Sequence, residues 1–571
     1  MMETVMRPSR FIHALLIVVT AIMLIARFWL GLHRYIDPDE FAHLHWSFLL
    51  SGGSIPYKDF FMNFTPVYHA LLSPLFLLPP TSSLLIIARI LQFFLYGTSI
   101  VLVYRLGIHL SGSTTVSALG MVIYASFPMT LDKTLELRPD HLMMVLALFA
   151  FVVAIKGKSW TAVRTVSVGV LSGLSIVTLL KVIPMLPALT YLAWFKVPRG
   201  KRFGGLALFF ISMILPAIAF ILYQMAEGTL PLAYENIVHG SALIKKGEGV
   251  FSPWLSLSPY PLVYVTAGGV SIPWLFHALI WLAAPVGIWI LWRQKRLSAQ
   301  IITLVLIGEA LSFLIIPTPY MQYFIPVSAF VSIAVSIAVS SGSEFLAKQF
   351  RWNARAHVVL VGVAFIALIS FWYQYKDRIN DTSAEQRSVI DTVLTISKPN
   401  ETFYDMVGSY LLRPDGFYVC CNIYSQFAAG LSIPLPTLAQ SLVKKQTKFI
   451  VLDRAGKSLW LPAPLDLAYV KGHYLQSRYP KIYTAGVQFL CQNTLCTQLG
   501  LDGNEIVPTP PRNAFAIDIP DSYRIETHPL DQTIIIDGVP VPPAKSIPLS
   551  RGIHIFSVPD SVLSLRVTLD R

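Results

Sequence analysis

Through roughly the first two thirds of the chain, apolar residues run in long stretches separated by short polar connectors. The first covers residues 11–33 (FIHALLIVVTAIMLIARFWLGLH), enough to cross a bilayer core, which takes about 20 apolar residues. Arg7 and Arg10 precede it as they would a secretory signal. The apolar part exceeds the roughly 7–15 residues of such a signal, and no small-x-small cleavage site follows, so the stretch reads as a retained helix with its N-terminus inside. Further stretches lie near 84–108, 114–129, 141–155, 165–183, 184–196, 203–225, 271–292, 299–317, 321–340 and 357–374. The expectation is a polytopic α-helical membrane protein of about eleven transmembrane helices. One outer connector is much longer than the others. Residues 34–83 contain amphipathic pieces such as EFAHLHWSFLL, which suit helices lying in the interfacial plane.

Beyond about residue 375 the pattern changes. A polar, helix-like stretch (YKDRINDTSAEQRSVIDTVLTIS) leads into short apolar runs such as FYVCC, KFIVLDR and YTAGVQFLC, alternating with helical segments. That alternation predicts a small α/β layer domain. After the Pro-rich join PTPPRN come TIIIDGVPV, IPLSRGIHIFSV and VLSLRVTLDR, with Asp537-Gly538 placed as a hairpin turn between apolar runs. The expected units are a membrane region at 1–375, a C-terminal α/β domain at 376–508 and a small β-rich module at 509–571.

Composition agrees. The 571 residues are 54% hydrophobic and 13% charged, about half the charged share of a soluble domain, with mean hydropathy +0.60. The formal net charge of +13 would suggest nucleic acid in a soluble protein. Here the basic residues collect in alternate connectors: Lys156, Lys158 and Arg164; Lys196, Arg199, Lys201 and Arg202; Arg293, Lys295 and Arg296; Lys348, Arg351 and Arg355. The acids fall in the other set, which satisfies the positive-inside rule and makes a nucleic-acid partner unnecessary. An odd number of spans places the tail outside the cytoplasm. All four cysteines (Cys420, Cys421, Cys491, Cys496) lie in that tail, as an oxidising compartment allows. No C-x-x-C metal pattern is present, and Cys491 to Cys496 suits a small disulfide loop, with four free thiols as the other reading.

The chemistry-bearing residues cluster in the outer connectors. Asp39 and Glu40 stand at the outer end of the first span, where a carboxylate must be solvated or paired and is a candidate for function. An Asp there can take a proton from an acceptor hydroxyl or amine; equally, Asp37, Asp39 and Glu40 can cap the next helix. Asp140, with Arg138 beside it, offers a second carboxylate next to a cation able to grip a phosphate. His43, four residues after Asp39, could join it in holding a divalent metal, the only cofactor considered; local hydrogen bonding is the plainer role. Lys245 and Lys246 in the loop at 227–270 could attract a phosphate or simply be solvated. Tyr320, Gln322 and Tyr323 lie at the mouth of a late span, where tyrosines are ordinary.

Pro38-Asp39-Glu40, followed by Gly53, Pro56, Tyr57, Asp59, Phe60, Phe61 and Pro66 in a G-x-x-PY-x-DFF-x-x-x-P pattern, resembles the first outer loop of C-type membrane glycosyltransferases. That superfamily includes protein O-mannosyltransferases and lipid A aminoarabinose transferases. LELRPD, ending at Asp140, resembles its second acidic motif, and QYFIP its late-span entrance. The resemblance covers residues 10–375 in layout. It implies a polyprenyl-phosphate sugar donor, transfer with inversion at the anomeric centre, and an extracytoplasmic acceptor that is a protein, lipid or glycan. It further implies Asp39 as base, Glu40 as its partner and Asp140 as a second acid, with Tyr57 and Asp59 in the substrate-binding loop. Asn63-Phe64-Thr65-Pro66 replaces the Lys-Pro-Pro element of the aminoarabinose transferases, which argues against lipid A as acceptor. The expected location is the plasma (inner) membrane, among its lipids. The competing class is a transporter or flippase of a lipid-linked saccharide, for which Arg27 and Arg89 inside spans would mark the pathway; a non-catalytic scaffold is a third.

Overall fold

The computed structural model describes residues 10–128, 130–157, 159–243, 272–315, 321–349, 356–376, 378–380, 382–421, 430–452, 464–500, 503 and 513–571. Over their described residues the expected apolar stretches form helices, with 165–183 breaking after Thr178 into a separate helical turn. The membrane region opens with α1 (Arg10–His33), α2 (Pro38–Ser51), α3 (Val67–Leu72), α4 (Ser83–Ser111), α5 (Thr114–Ala125), α6 (Pro139–Ile155), α7 (Ala162–Thr178), α8 (Leu186–Lys196) and α9 (Arg202–Ala226). It continues with α10 (Ile272–Gln294), α11 (Arg296–Ile315), α12 (Phe324–Gln349) and α13 (Ala356–Lys376), after short helical turns at Leu230–Tyr234 and Glu235–Gly240. Among the described residues, seven helices are long and apolar enough to cross a membrane, whereas Thr114–Ala125, Pro139–Ile155 and Ala162–Thr178 are shorter.

The helices face two ways. A shared core gathers Leu16, Met23, Val122, Met144, Phe151, Phe330 and Val331, while Phe203 (80% exposed), Ile211 and Leu222 point outward from α9. So broad an apolar exterior suits lipid rather than water, and the chain is a multi-pass membrane protein. Glycine lets α10 and α12 approach closely, as small residues do in membranes. A Cβ at Gly287 of α10 would lie 1.8 Å from the Ala334 carbonyl of α12.

The tail begins with the amphipathic α14 (Ala384–Ile396), whose Val389 and Val393 join the tail's core while Ile390 packs with Phe41 and Leu44 of α2. Its main sheet runs β1 (Phe403–Tyr404), β2 (Phe449–Val451), β4 (Ile482–Gln492), β12 (Ser564–Leu569), β7 (Asp521–His528), β10 (Ser546–Leu549), with β3 (Tyr474–Gln476) and β5 (Leu495–Leu499) also on β4. Because β12 lies between β4 and β7, strands from both sides of residue 508 share one sheet. A second sheet orders β6 (Ala514–Ile517), β11 (Gly552–Ser557), β8 (Ile534–Ile536) and β9 (Val539–Val541). Asp537 and Gly538 join β8 to β9 with φ of 50° and 79°, the left-handed pair a two-residue hairpin requires. Cys491 and Cys496 face each other across β4 and β5 and are disulfide-bonded.

Arg89 of α4 fixes the corner between α1 and α2. Its guanidinium donates to the carbonyls of Gly31, Arg34 and Tyr35 at 2.7–2.9 Å and to both Glu40 oxygens at 2.7 Å. The carbonyls of a helix end lack intrahelical partners, and an Arg beside them meets the negative pole of the dipole. Glu40 occupies the first turn of the next helix, where a carboxylate is favoured for the opposite reason. Removing one partner of a buried pair costs about 3–5 kcal/mol. Glu40→Ala should therefore lower the thermal midpoint of the detergent-solubilised protein sharply, and Glu40→Ala combined with Arg89→Ala should cost clearly less than the two single losses added. Additive losses would show that the pair is not energetically coupled.

Candidate functional site

Two sequence corners of the same form build the site. In Asp37-Pro38-Asp39-Glu40 and Arg138-Pro139-Asp140, proline starts a helix at its first position and holds the preceding residue extended. Asp37 has φ −70°, ψ 146°, and Arg138 has φ −148°, ψ 145°. Each corner thus places an Asp in the first turn, Asp39 on α2 and Asp140 on α6. Asp37 caps α2 by accepting from the Asp39 N–H at 3.0 Å. The capping role foreseen for the acids therefore belongs to Asp37.

Arg138 brings the corners together. It donates to Asp39 Oδ2, to Glu136 Oε2 at 3.3 Å and, through Nε, to Asp140 Oδ2 at 3.3 Å. Lys181 donates to the other Asp140 oxygen at 2.7 Å and lies 4.5 Å from the Tyr323 ring centroid. Lys133 bonds both Glu136 oxygens at 2.9 Å and approaches Asp37 at 3.7 Å. Within this web Asp140 is 1% exposed and Arg138 5%, whereas the Asp39 carboxylate is 51% exposed. Asp39 is the carboxylate that a bound molecule can reach.

Partial desolvation raises the half-exposed Asp39 carboxyl, but Arg138 and Lys133 outweigh it and hold the group well below the usual carboxylate range. Asp37 goes the other way, pushed up to about 7 by burial and by Glu136. Oxygens of Asp37, Asp39 and Glu136 lie within 4.8 Å of one another. Lys133 and Arg138 already supply positive charge to that group, so it makes no case for a metal.

Several expected residues have other duties. Glu40 is fully buried with both oxygens on Arg89, which makes it a positioning group instead of a partner to the base. His43, the metal candidate with Asp39, has its Nδ1 facing His69 Nε2 at 3.0 Å, among Trp46, Phe64 and Tyr68. Burial pushes its imidazole down to about 3, with Arg138 adding to the effect. Tyr57 is buried with φ 69° and donates to the Phe64 carbonyl at 2.7 Å, so it shapes the loop and offers no surface to a substrate. Asp59 closes the same loop by accepting from the Ile55 N–H at 2.7 Å. Gln322 is buried close to Tyr323. Lys245, Lys246 and Tyr320 lie outside the described residues.

Lys133, Glu136 and Lys181 were not singled out by the sequence reading. Lys133 and Glu136 stand three apart in LDKTLE, a spacing that lets side chains meet on a turn. Lys181 hides in an apolar run, where any ionisable residue is a functional candidate. Pro184 three residues later marks the break where α7 stops and a tight helical turn, Leu180–Met185, begins.

Apolar helices of spanning length, a long loop after α1 that carries short helices, and a sheet-rich tail make up a fold that solved membrane-enzyme structures share at low sequence identity. ArnT from Cupriavidus metallidurans bound to undecaprenyl phosphate superposes with a TM-score of 0.56 at 14% identity, over 83% of this chain and 98% of that one. Its apo state gives 0.53 at 13% identity over 83% and 97%. The Archaeoglobus fulgidus oligosaccharyltransferase tethered to an acceptor peptide gives 0.47 at 12% identity over 80% and 72%. No family model and no curated protein sequence matches the chain.

The Asp37 shift has a measurable consequence. An unfolded Asp ionises near 3.9 while the folded group keeps its proton to about 7. The folded state thus binds more protons in that window, and the group's contribution to stability falls as pH rises through it. Asp37→Asn keeps a capping side chain and removes the titration. Its thermal midpoint relative to wild type should rise between about pH 4 and 7, and a difference flat with pH would show that Asp37 titrates normally.

Proposed function

We propose that this protein is an integral membrane glycosyltransferase that moves a sugar from a polyprenyl-phosphate donor to an extracytoplasmic acceptor, with inversion and with Asp39 as base. The observation that carries this reading is the asymmetry of the web. One ionised, accessible carboxylate, Asp39, shares a guanidinium with a buried one, Asp140, which is itself tied to Lys181. The shared fold with ArnT supports a lipid-linked donor. The N-terminus is cytoplasmic and the tail extracytoplasmic on this reading, in the plasma membrane.

A phosphate-linked sugar carries its own leaving group, so the protein has to supply a base, a phosphate clamp and positioning. Arg138 and Lys181 are the clamp. A donor phosphate bound at Arg138 brings negative charge beside Asp39 and offsets the cation that holds its proton affinity down, so the basicity of Asp39 rises toward that of an ordinary carboxylate. Donor binding and base activation become one event. Asp39 next takes the acceptor proton as the acceptor oxygen or nitrogen attacks the anomeric carbon and the lipid phosphate departs with its electron pair. Asp140 stays ionised and keeps Lys181 and Arg138 in place. The charges that would mark a transport pathway have structural partners instead: Arg89 on Glu40, and Arg27 on Thr134 and the Ala125 carbonyl.

The test incubates purified protein with a panel of radiolabelled polyprenyl-phosphate sugars and follows loss of label from the lipid. Asp39→Asn should lower turnover by about 10²–10⁴-fold with an unchanged melting profile. Lys181→Met should raise the donor KM more than it lowers kcat. Equal turnover by wild type and Asp39→Asn would remove Asp39 as base, and no turnover of any donor by folded wild type would overturn the enzyme reading.

A further inference from the structure

Away from the Arg138 web, an open cleft of about 420 Å³ lies where α14 of the tail meets the N-terminal end of α4. Small-molecule sites run from about 300 to 1,000 Å³, so the cleft is large enough for a ligand. Its walls include Ser82, Arg387, Ser388, Asp391, Thr392 and Tyr479. Arg387 and Asp391 carry opposite charges one turn apart on α14, yet they do not pair with each other. Asp391 is drawn to α4 instead, accepting from the Ser82 N–H at 3.2 Å and the Ser82 hydroxyl at 2.8 Å. The dipole of α4 favours a carboxylate at that end. Arg ahead of Asp is also the weaker order for a pair four apart on a helix. Arg387 is left half-buried, and its guanidinium makes no hydrogen bond or ion pair among the described residues, with Nε itself buried. An unpartnered buried donor calls for an acceptor.

The cleft stands beside a lipid-facing surface. α4 is long and apolar enough to span a membrane. Ser83, next to Ser82, begins an exposed stripe that continues through Ile87, Phe94 and Val101, positions that recur on one side of a helix. Just ahead of the cleft wall, Leu77 is 87% exposed and Leu78 is exposed as well. A ligand matching these features has a phosphate for the guanidinium, whose planar fork suits it, apolar chains for the α4 stripe, and a positive group for Asp391. An ionised carboxylate has about four acceptor sites, and the two bonds from Ser82 leave the rest free. The matching positive group is therefore a hydrogen-bond donor, a primary ammonium. A quaternary ammonium has no such donor and is usually met by an aromatic cage.

We propose that this cleft binds the headgroup of an ethanolamine phospholipid, with its phosphate on Arg387, its ammonium on Asp391 and its acyl chains along the exposed side of α4. The bound lipid joins α14 to α4 at the membrane surface and so helps to seat the tail. This goes beyond the glycosyltransferase reading and does not depend on it.

The full-length protein in detergent is titrated with dihexanoyl phosphatidylethanolamine, phosphatidylcholine and phosphatidylglycerol, each followed by native mass spectrometry and by the thermal midpoint. The ethanolamine lipid should bind saturably, raise the midpoint and outcompete the other two by about 10-fold or more, the scale of one hydrogen bond to a charged group. Arg387→Gln should weaken the ethanolamine and choline lipids alike, by about 10–100-fold. Asp391→Asn should erase the preference for ethanolamine over choline. Equal binding of the three lipids by wild type would overturn the proposal, a comparison that needs no variant to fold. So would a stronger response to phosphatidylglycerol, or an ethanolamine preference that survives both substitutions unchanged. Glycerophosphoethanolamine binding as tightly as the lipid would overturn the membrane source and make the occupant a soluble phosphoester.

Discussion

The position of α2 depends on one buried guanidinium. Arg89 comes from the second turn of α4 and places its donors on the end of α1, on the connector after it, and on Glu40. A buried charge without partners is expensive. Each alternative placement of the α1–α2 corner would strand either a guanidinium or a set of helix-end carbonyls. The same corner turns Asp39, one residue before Glu40, out of the core. Adjacent acids thereby acquire opposite fates, since successive positions on a helix point about a hundred degrees apart.

The second corner meets the first through Arg138. Two helices that begin with proline aim their N-termini at a common place, where the positive ends of their dipoles favour carboxylates. Asp39, Asp140 and Glu136 supply the carboxylates, and Arg138, Lys133 and Lys181 balance them. Such a web is well suited to receive an anion, because its cations are already desolvated and oriented. A phosphate would exchange one set of ionic partners for another, at much smaller cost than drawing an Arg out of water.

The tail completes this arrangement. Gln386 bonds both backbone groups of Ile36 at 2.8 and 3.0 Å. Arg378 grips Asp132 at 3.0 and 2.7 Å, and Tyr418 bonds the Tyr57 carbonyl at 2.6 Å. These contacts brace the loop after α1 and the short link before α6. The tail thus acts on the same two segments that carry the candidate site, whatever further role its own surface has.

Local pattern determined a good deal by itself. Apolar runs of spanning length become helices because a backbone in hydrocarbon must satisfy its own hydrogen bonds. Proline with an acid after it suits a helix's first turn, as at Pro38 and Pro139, and Asp-Gly closes a hairpin through a conformation few other pairs tolerate. Asp39, Arg138 and Asp140 were legible on those grounds together with the motif resemblance. What each polar group is bonded to was not legible, since partners such as Arg89 for Glu40 lie 49 residues away and Asp415 for His45 lies 370. Lys181 looked like part of a span, and Tyr57 and His43 looked available, because sequence shows residue type and spacing but neither burial nor direction. Only the packing of α1, α2, α4 and α6 against the tail decides which carboxylate faces outward and which is spent inside. The free energy of a charge depends on what surrounds it, and those surroundings come from segments far apart in the chain.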